Sequence, residues 1–222
     1  MPAMASGLPS LGALAAARGI GFGSAYSGDQ NTAYRALLRQ QCRILTPENG
    51  LKAEYFAPTP DIRYLDTADD IYAFCTRHNL AFHGHTLYWH ATPLGWITAQ
   101  TPDAIAAYGR FATEIMERYP ATASWDVVNE VVEEATAIRP EYLTGAFGLD
   151  FIDAMFRTAQ RTSPDAARVI NDYNLNCLGH WCTDKRKNML IVLDQLLERG
   201  TPIDVVGIQA HLSSRYRPDN DK

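Results

Sequence analysis

Two rhythms of apolar and polar positions alternate along the chain. Short apolar runs, each closed by polar residues, read as strands at Ile20–Tyr26, Arg43–Asn49, Leu80–Trp89, Trp125–Glu130, Ala167–Asp172 and Asp204–His211. Val127 and Val128 are β-branched neighbours, as in a strand buried on both faces of a parallel sheet. Between these runs the spacing turns helical. A first helix is expected over Leu11–Ala17, a second over Asn31–Arg39, and a third over Asp66–His78 with Ile71 and Phe74 on one face. Thr101-Pro102-Asp103 has the chemistry of a helix start, a hydroxyl cap followed by proline, and Pro120 closes that helix. Two more helices are expected over Asp150–Arg161, capped by Asp150, and Asp184–Arg199, stopped by Gly200. Residues 50–65, with Pro58 and Pro60, read as a long loop. Strand and helix thus alternate at a repeat of roughly 35–40 residues, the pattern of β/α units in one domain over residues 1–222.

Composition narrows the partners. The chain has 222 residues, 46% hydrophobic and 20% charged, as a globular domain does. A net charge of -5 without a basic run argues against nucleic acid. No apolar stretch is long enough to span a bilayer. Met1–Gly7 lacks a basic start, so no signal peptide is visible. The four cysteines form no CxxC pair; Cys177 and Cys182 are close enough for a local disulfide, but buried free thiols are the favoured expectation.

The chemistry gathers where strands end. Glu48-Asn49, His83 and His85, Asn129-Glu130, Asp172-Tyr173, and Gln209 with His211 close successive strands, and in a barrel such ends converge on one mouth. Tyr88, Trp89, Trp96, Tyr173 and Trp181 follow close behind. Carboxylates, amides, imidazoles and aromatic rings together suit a carbohydrate, whose hydroxyls need many partners and whose C–H faces pack on rings. A metal-dependent hydrolase is the remote alternative, because His83 and His85 share a strand face and His211 and Asp172 could complete a site.

Thr46-Pro47-Glu48-Asn49 with Lys52, Gly84-His85-Thr86-Leu87 with Trp89-His90, Trp125–Glu130, Ile170–Asn174 and Gly207–Leu212 resemble glycoside hydrolase family 10, the endo-β-1,4-xylanases. The resemblance implies a (β/α)8 TIM-barrel type of α/β fold and retaining hydrolysis of β-1,4-xylosidic bonds. Glu130 would be the general acid/base. Asn129 would hydrogen-bond the sugar 2-OH and the nucleophile, Gln209 would contact Glu130, and His211 would orient the nucleophile. Glu48, Asn49 and Lys52 would hold glycone sugars, and His85 and Trp89 would line the subsite before the scissile bond. Tyr173 would stack on the leaving side, and a cis peptide is expected after His85. The partner would be xylan or xylo-oligosaccharides, with no cofactor and no metal, and the substrate implies secretion or a periplasmic location.

This sequence departs from the family in two ways. Ala53 follows Lys52 where the family usually has tryptophan, and the loop from Ala57 to Tyr64 lacks a glycine-containing turn. The family's nucleophile belongs to a seventh strand, whereas only about six β/α units are read here, and Arg215–Lys222 is polar. The expectation is an incomplete barrel with weak or no hydrolysis, or a non-catalytic carbohydrate-binding fragment. Its first and last strands would be open edges, prone to self-association.

Overall fold

The computed structural model describes residues 8–212 except Leu178. Its elements are α1 (Leu11–Ala16), β1 (Gly23–Tyr26), α2 (Thr32–Gln41), β2 (Ile44–Pro47), α3 (Ala53–Phe56), α4 (Asp66–His78), β3 (Ala81–Gly84), α5 (Ala104–Arg118), β4 (Thr122–Asn129), β5 (Val132–Glu133), β6 (Ala137–Ile138), α6 (Tyr142–Thr162), β7 (Ala167–Asp172), α7 (His180–Glu198) and β8 (Val205–Ile208). Six strands pair in the order β1-β2-β3-β4-β7-β8, every pair parallel. This is the α/β architecture of a (β/α)8 barrel, represented by about six units. The segments Met1–Gly7 and Arg215–Lys222, on which two expectations rested, lie outside the described residues.

Burial explains the sheet. Val127 and Val128 on β4 are fully enclosed, and Leu45, Phe82 and Ile170 carry the core across β2, β3 and β7. Packing is tightest where Gly84 faces Trp125 in the β3–β4 register, since a Cβ on Gly84 would overlap the indole. Outside the sheet, Ile71, Phe111, Ile115, Phe151, Phe156 and Val192 present the apolar faces of α4–α7. No described helix is long and apolar enough to cross a membrane.

Local chemistry corrects several expected boundaries. Residues 50–65 are not all loop, because Ala53–Phe56 forms the short helix α3, with Ala53 and Phe56 buried. Thr101 does not cap α5. Its Oγ1 accepts from the Thr98 N–H at 2.9 Å, and Asp103 takes the cap position with φ 51° and no side-chain bond. Helix α6 begins at Tyr142 and is broken at Gly148, where φ is 54°. Asp150 lies in the first turn after that break, not at its cap, and pairs with Arg199 at 2.7 Å. Helix α7 begins at His180, not Asp184, while Gly200, with φ 70°, follows its end as expected. The two-stranded ribbon β5–β6 was too short to register as a pattern in the sequence.

The cysteines divide. Cys42 and Cys75 are buried free thiols. Cys177 and Cys182 instead form a disulfide, against the expectation of free thiols, because the turn into α7 brings their Cα atoms to 5.7 Å.

Candidate active site

The C-terminal ends of the six parallel strands carry the polar groups singled out above. Glu130 follows the last residue of β4. Its N–H donates to the Asn171 carbonyl on β7 at 2.8 Å, and its own carbonyl accepts from Arg139 Nε at 2.6 Å. These bonds hold Glu130 at φ 57°, a left-handed conformation that non-glycine residues rarely adopt. The carboxylate then turns toward β8, where its Oε1 accepts from Gln209 Nε2 at 3.0 Å.

Asn129 is fixed by its neighbours. Its Oδ1 accepts from Gln209 Nε2 at 3.1 Å and from Asn171 Nδ2 at 2.8 Å. The amide therefore presents its Nδ2 as a donor. Gly207 permits this arrangement, since a Cβ there would collide with the Asn171 side chain. His211 Nε2 lies 2.9 Å from Gln209 Oε1. Gln209 is already a donor through Nε2, so its oxygen accepts and His211 donates. Glu130, Asn129, Gln209 and His211 thus form one connected set spanning β4 and β8.

The other wall is built on β2 and β3. His85 Nδ1 and His83 Nε2 approach Asp126 Oδ2 at 2.7 and 3.2 Å, and His83 Nδ1 meets Ser124 Oγ at 2.7 Å. Burial opposes the charge on Asp126, but the bonds from His83 and His85 outweigh it and hold the carboxyl below its ordinary range. The carboxylate only accepts, so His85 carries its proton on Nδ1 and keeps Nε2 for other contacts. The peptide after His85 is cis. The His85 and Trp89 rings are 6.3 Å apart, and Lys52 Nζ stands 5.4 Å from the Trp89 centroid while donating to Asn49 Oδ1 at 2.9 Å. Glu48 is exposed at the end of β2 and its N–H donates to Tyr26.

Tyr173 forms the third side. Its Oη accepts from Arg139 Nη2 at 2.7 Å, and Lys185 Nζ lies 3.7 Å from its ring centroid. Lys185 is fully buried, pairs with Asp172 Oδ1 at 2.8 Å and donates to the Val132 carbonyl at 2.6 Å. Asp172 also accepts from the N–H groups of Val132 and Tyr173. Arg139 Nη1 completes the network with Glu133 at 3.1 Å.

One expected aromatic, Trp96, is not at this cleft. Trp96 donates to the Ala57 carbonyl at 3.0 Å and sets its edge against Phe111, so it is part of the core packing. Asp172 is engaged by Lys185, and His211 by Gln209. Among the described residues no group of three His, Cys, Asp or Glu side chains is arranged as metal ligands. A groove of about 970 Å³ between α5 and α6 lies on the helix layer and is lined in part by Arg110, Arg157 and Arg161, not by strand-end residues. Arg139 and Lys185 escaped sequence reasoning. Lys185 did leave a trace, a lysine at helical spacing with Cys182, Met189, Val192 and Leu196, all buried.

The family model described as glycosyl hydrolase family 10 matches residues 10–221. A β-1,4-xylanase of Dictyoglomus thermophilum is 34% identical over 185 residues, covering 80% of this chain and 50% of its own length. An endo-1,4-β-xylanase of Caldicellulosiruptor owensensis superposes with a TM-score of 0.82 at 28% identity, covering 92% of this chain and 64% of that one. A xylanase 10B of Thermotoga petrophila, solved with xylobiose, gives a TM-score of 0.82 at 27% identity over the same shares, 92% and 64%. The chain spans about half the length of the curated relatives it matches.

Proposed function

The chain belongs to glycosyl hydrolase family 10, and from that premise we propose that its strand-end cleft binds xylan and carries the acid/base half of a retaining endo-β-1,4-xylanase site. The observation that carries this reading is the bridge from Gln209 Nε2 to both Glu130 Oε1 and Asn129 Oδ1, with His211 bonded behind it. It aims one protonatable carboxyl and one amide donor into the same space. Glu130 hands its proton to the leaving glycosidic oxygen. Asn129 Nδ2 meets the sugar 2-OH, and His211 orients the nucleophile. Glu48, Asn49 and Lys52 take glycone hydroxyls, His85 and Trp89 enclose the sugar at the scissile bond, and Tyr173 packs on the leaving side.

Double displacement needs a second carboxyl about 5–5.5 Å from the first. The described residues offer poor candidates. Asp172 is tied to Lys185, Glu133 to Arg139, and Glu48 ends β2, with β3 lying between it and β4. Assayed alone, the 222-residue chain is therefore expected to hydrolyse xylan weakly or not at all while binding xylo-oligosaccharides. The same observation favours the second reading, a carbohydrate-binding role without turnover. Reducing-sugar release from soluble xylan, run beside calorimetric titration with xylohexaose, decides. Binding without release supports the acid/base half-site, release with retained anomeric configuration gives the chain a nucleophile, and absence of both refutes the cleft.

The Cys177–Cys182 disulfide and a polymeric substrate support a secreted or periplasmic location. The outer edges of β1 and β8, unpaired among the described residues, support self-association.

A further inference from the structure

Trp181 takes no part in the cleft described above, yet it is 49% exposed while Trp125 is buried and Trp89 and Trp96 are half-buried. It sits in the first turn of α7, directly after the loop that carries Tyr173, and so on the same face as the strand ends. Side chains four apart on a helix share a face. Trp181 therefore stands one turn N-terminal to Lys185, whose Nζ is 3.7 Å from the Tyr173 centroid. On the same flank, Asn188 donates to the carbonyls of Glu133 and Glu134 at 2.8 Å. Lys185 and Asn188 thus reach Tyr173 and the β5–β6 ribbon, and Trp181 stands one turn before them on the same helix flank with its indole exposed.

The ring is also held. It folds over Gly179, where a Cβ would lie 2.6 Å from indole atoms, and it meets the His180 ring edge-on at 4.9 Å. The Cys177–Cys182 disulfide closes the same turn. The indole lies against Gly179 and His180 and is half exposed, so a ligand that packs on it does not have to order the side chain first.

We propose that Trp181 is a sugar-stacking platform that extends the leaving-group side of the cleft, taking a β-1,4-linked xylosyl unit beyond the one packed on Tyr173. This rests on the xylan reading of the cleft. The open ring covers the C–H face of a pyranose and leaves its hydroxyls in water.

Calorimetric titration of the 222-residue chain, Trp181→Ala and Trp181→Phe with xylobiose and xylohexaose tests it. Trp181→Ala is expected to weaken xylohexaose about tenfold and xylobiose less than about twofold, with Trp181→Phe close to the parent. Unchanged xylohexaose affinity in Trp181→Ala overturns the platform and leaves the cleft reading standing. Equal losses for both sugars in Trp181→Phe and Trp181→Ala also overturn it, because the residue then acts on loop shape. A parent chain that binds neither sugar removes cleft and platform together.

Discussion

Glu130 owes its position more to its main chain than to its carboxylate. Asn171 holds its N–H and Arg139 its carbonyl, and Arg139 reaches Tyr173 with the same guanidinium. Glu130 and Tyr173 are therefore both set by one side chain, which is buried and itself paired with Glu133. Beneath them, Lys185 and Asp172 form an ion pair with no exposure on either side. Removing one partner of such a pair leaves an uncompensated charge, so Lys185→Met is expected to cost about 3–5 kcal/mol in urea unfolding. Adding Asp172→Asn to it should recover part of that loss. A loss below about 1 kcal/mol in the single variant would mean the pair is hydrated. Asp126 gives a pH dependence. Its carboxyl is held below its ordinary range, so its contribution is complete above the unfolded value near ~3.9 and fades as pH falls through the folded one. Asp69 and Asp153 are shifted the same way by Arg118 and Arg157. Asp126→Asn should therefore flatten, without abolishing, the fall in urea midpoint between about pH 5 and pH 2. An unchanged slope would mean that His83 and His85 do not stabilise the charge.

Among elements, the strands were the most legible part of the sequence. Buried parallel strands make continuous apolar runs, and the polar residues that stop them mark the C-terminal strand ends, so Glu48-Asn49, Asn129-Glu130 and Gln209 could be placed there without coordinates. Arg139 and Lys185 could not, since their partners come from a two-residue ribbon and a distant helix. Helix starts were misplaced for a similar reason. Asp150 has the right chemistry for a cap, but the break in α6 falls at Gly148, so Asp150 lies in the first turn after it and not at the cap. The loop before α7 shows how spacing alone misleads. Free thiols were the favoured expectation for Cys177 and Cys182, and the turn at Gly179 decides otherwise. Thiol counting checks this. Burial pushes the Cys75 thiol up to about 12 and raises Cys42, so neither is a thiolate at pH 8. The expected result is no reactive thiol in the native chain, two in denaturant and four after reduction. Four in denaturant without reductant would remove the disulfide. In β3, Gly84→Ala should destabilise the chain by about 1–3 kcal/mol, because the added methyl has only the Trp125 indole to displace. A smaller change in the urea midpoint would show that the indole can move.

Over the whole molecule, the six-stranded sheet has two outer edges, β1 and β8, and among the described residues nothing pairs with either. The two ends differ in how well their side chains are covered. Tyr26 at the end of β1 is buried, whereas Val205, Val206 and Ile208 on β8 are 43%, 41% and 53% exposed. Helix α7 beside it exposes Leu190 and Leu197. Apolar strand residues beside unpaired backbone donors and acceptors form a surface that a second chain can extend. The order of strands was readable from the β/α alternation, but this asymmetry was not. It depends on which large side chains each edge strand carries and what meets them: Tyr34 of α2 and Phe74 of α4 pack on Tyr26, whereas Val205, Val206 and Ile208 stay exposed. Self-association is therefore expected to run through β8. Sedimentation velocity should show a mass that rises with concentration, and Val206→Lys should shift the distribution toward monomer while leaving the helical circular dichroism unchanged. If Val206→Lys alters neither, and a charge placed on β1 at Ser24 does, the chains meet at the opposite edge. That outcome would leave Gln209 and His211, at the end of β8, open to sugar in the assembled form, whereas contact through β8 crowds the bridge to Glu130 and makes xylohexaose binding fall as association rises.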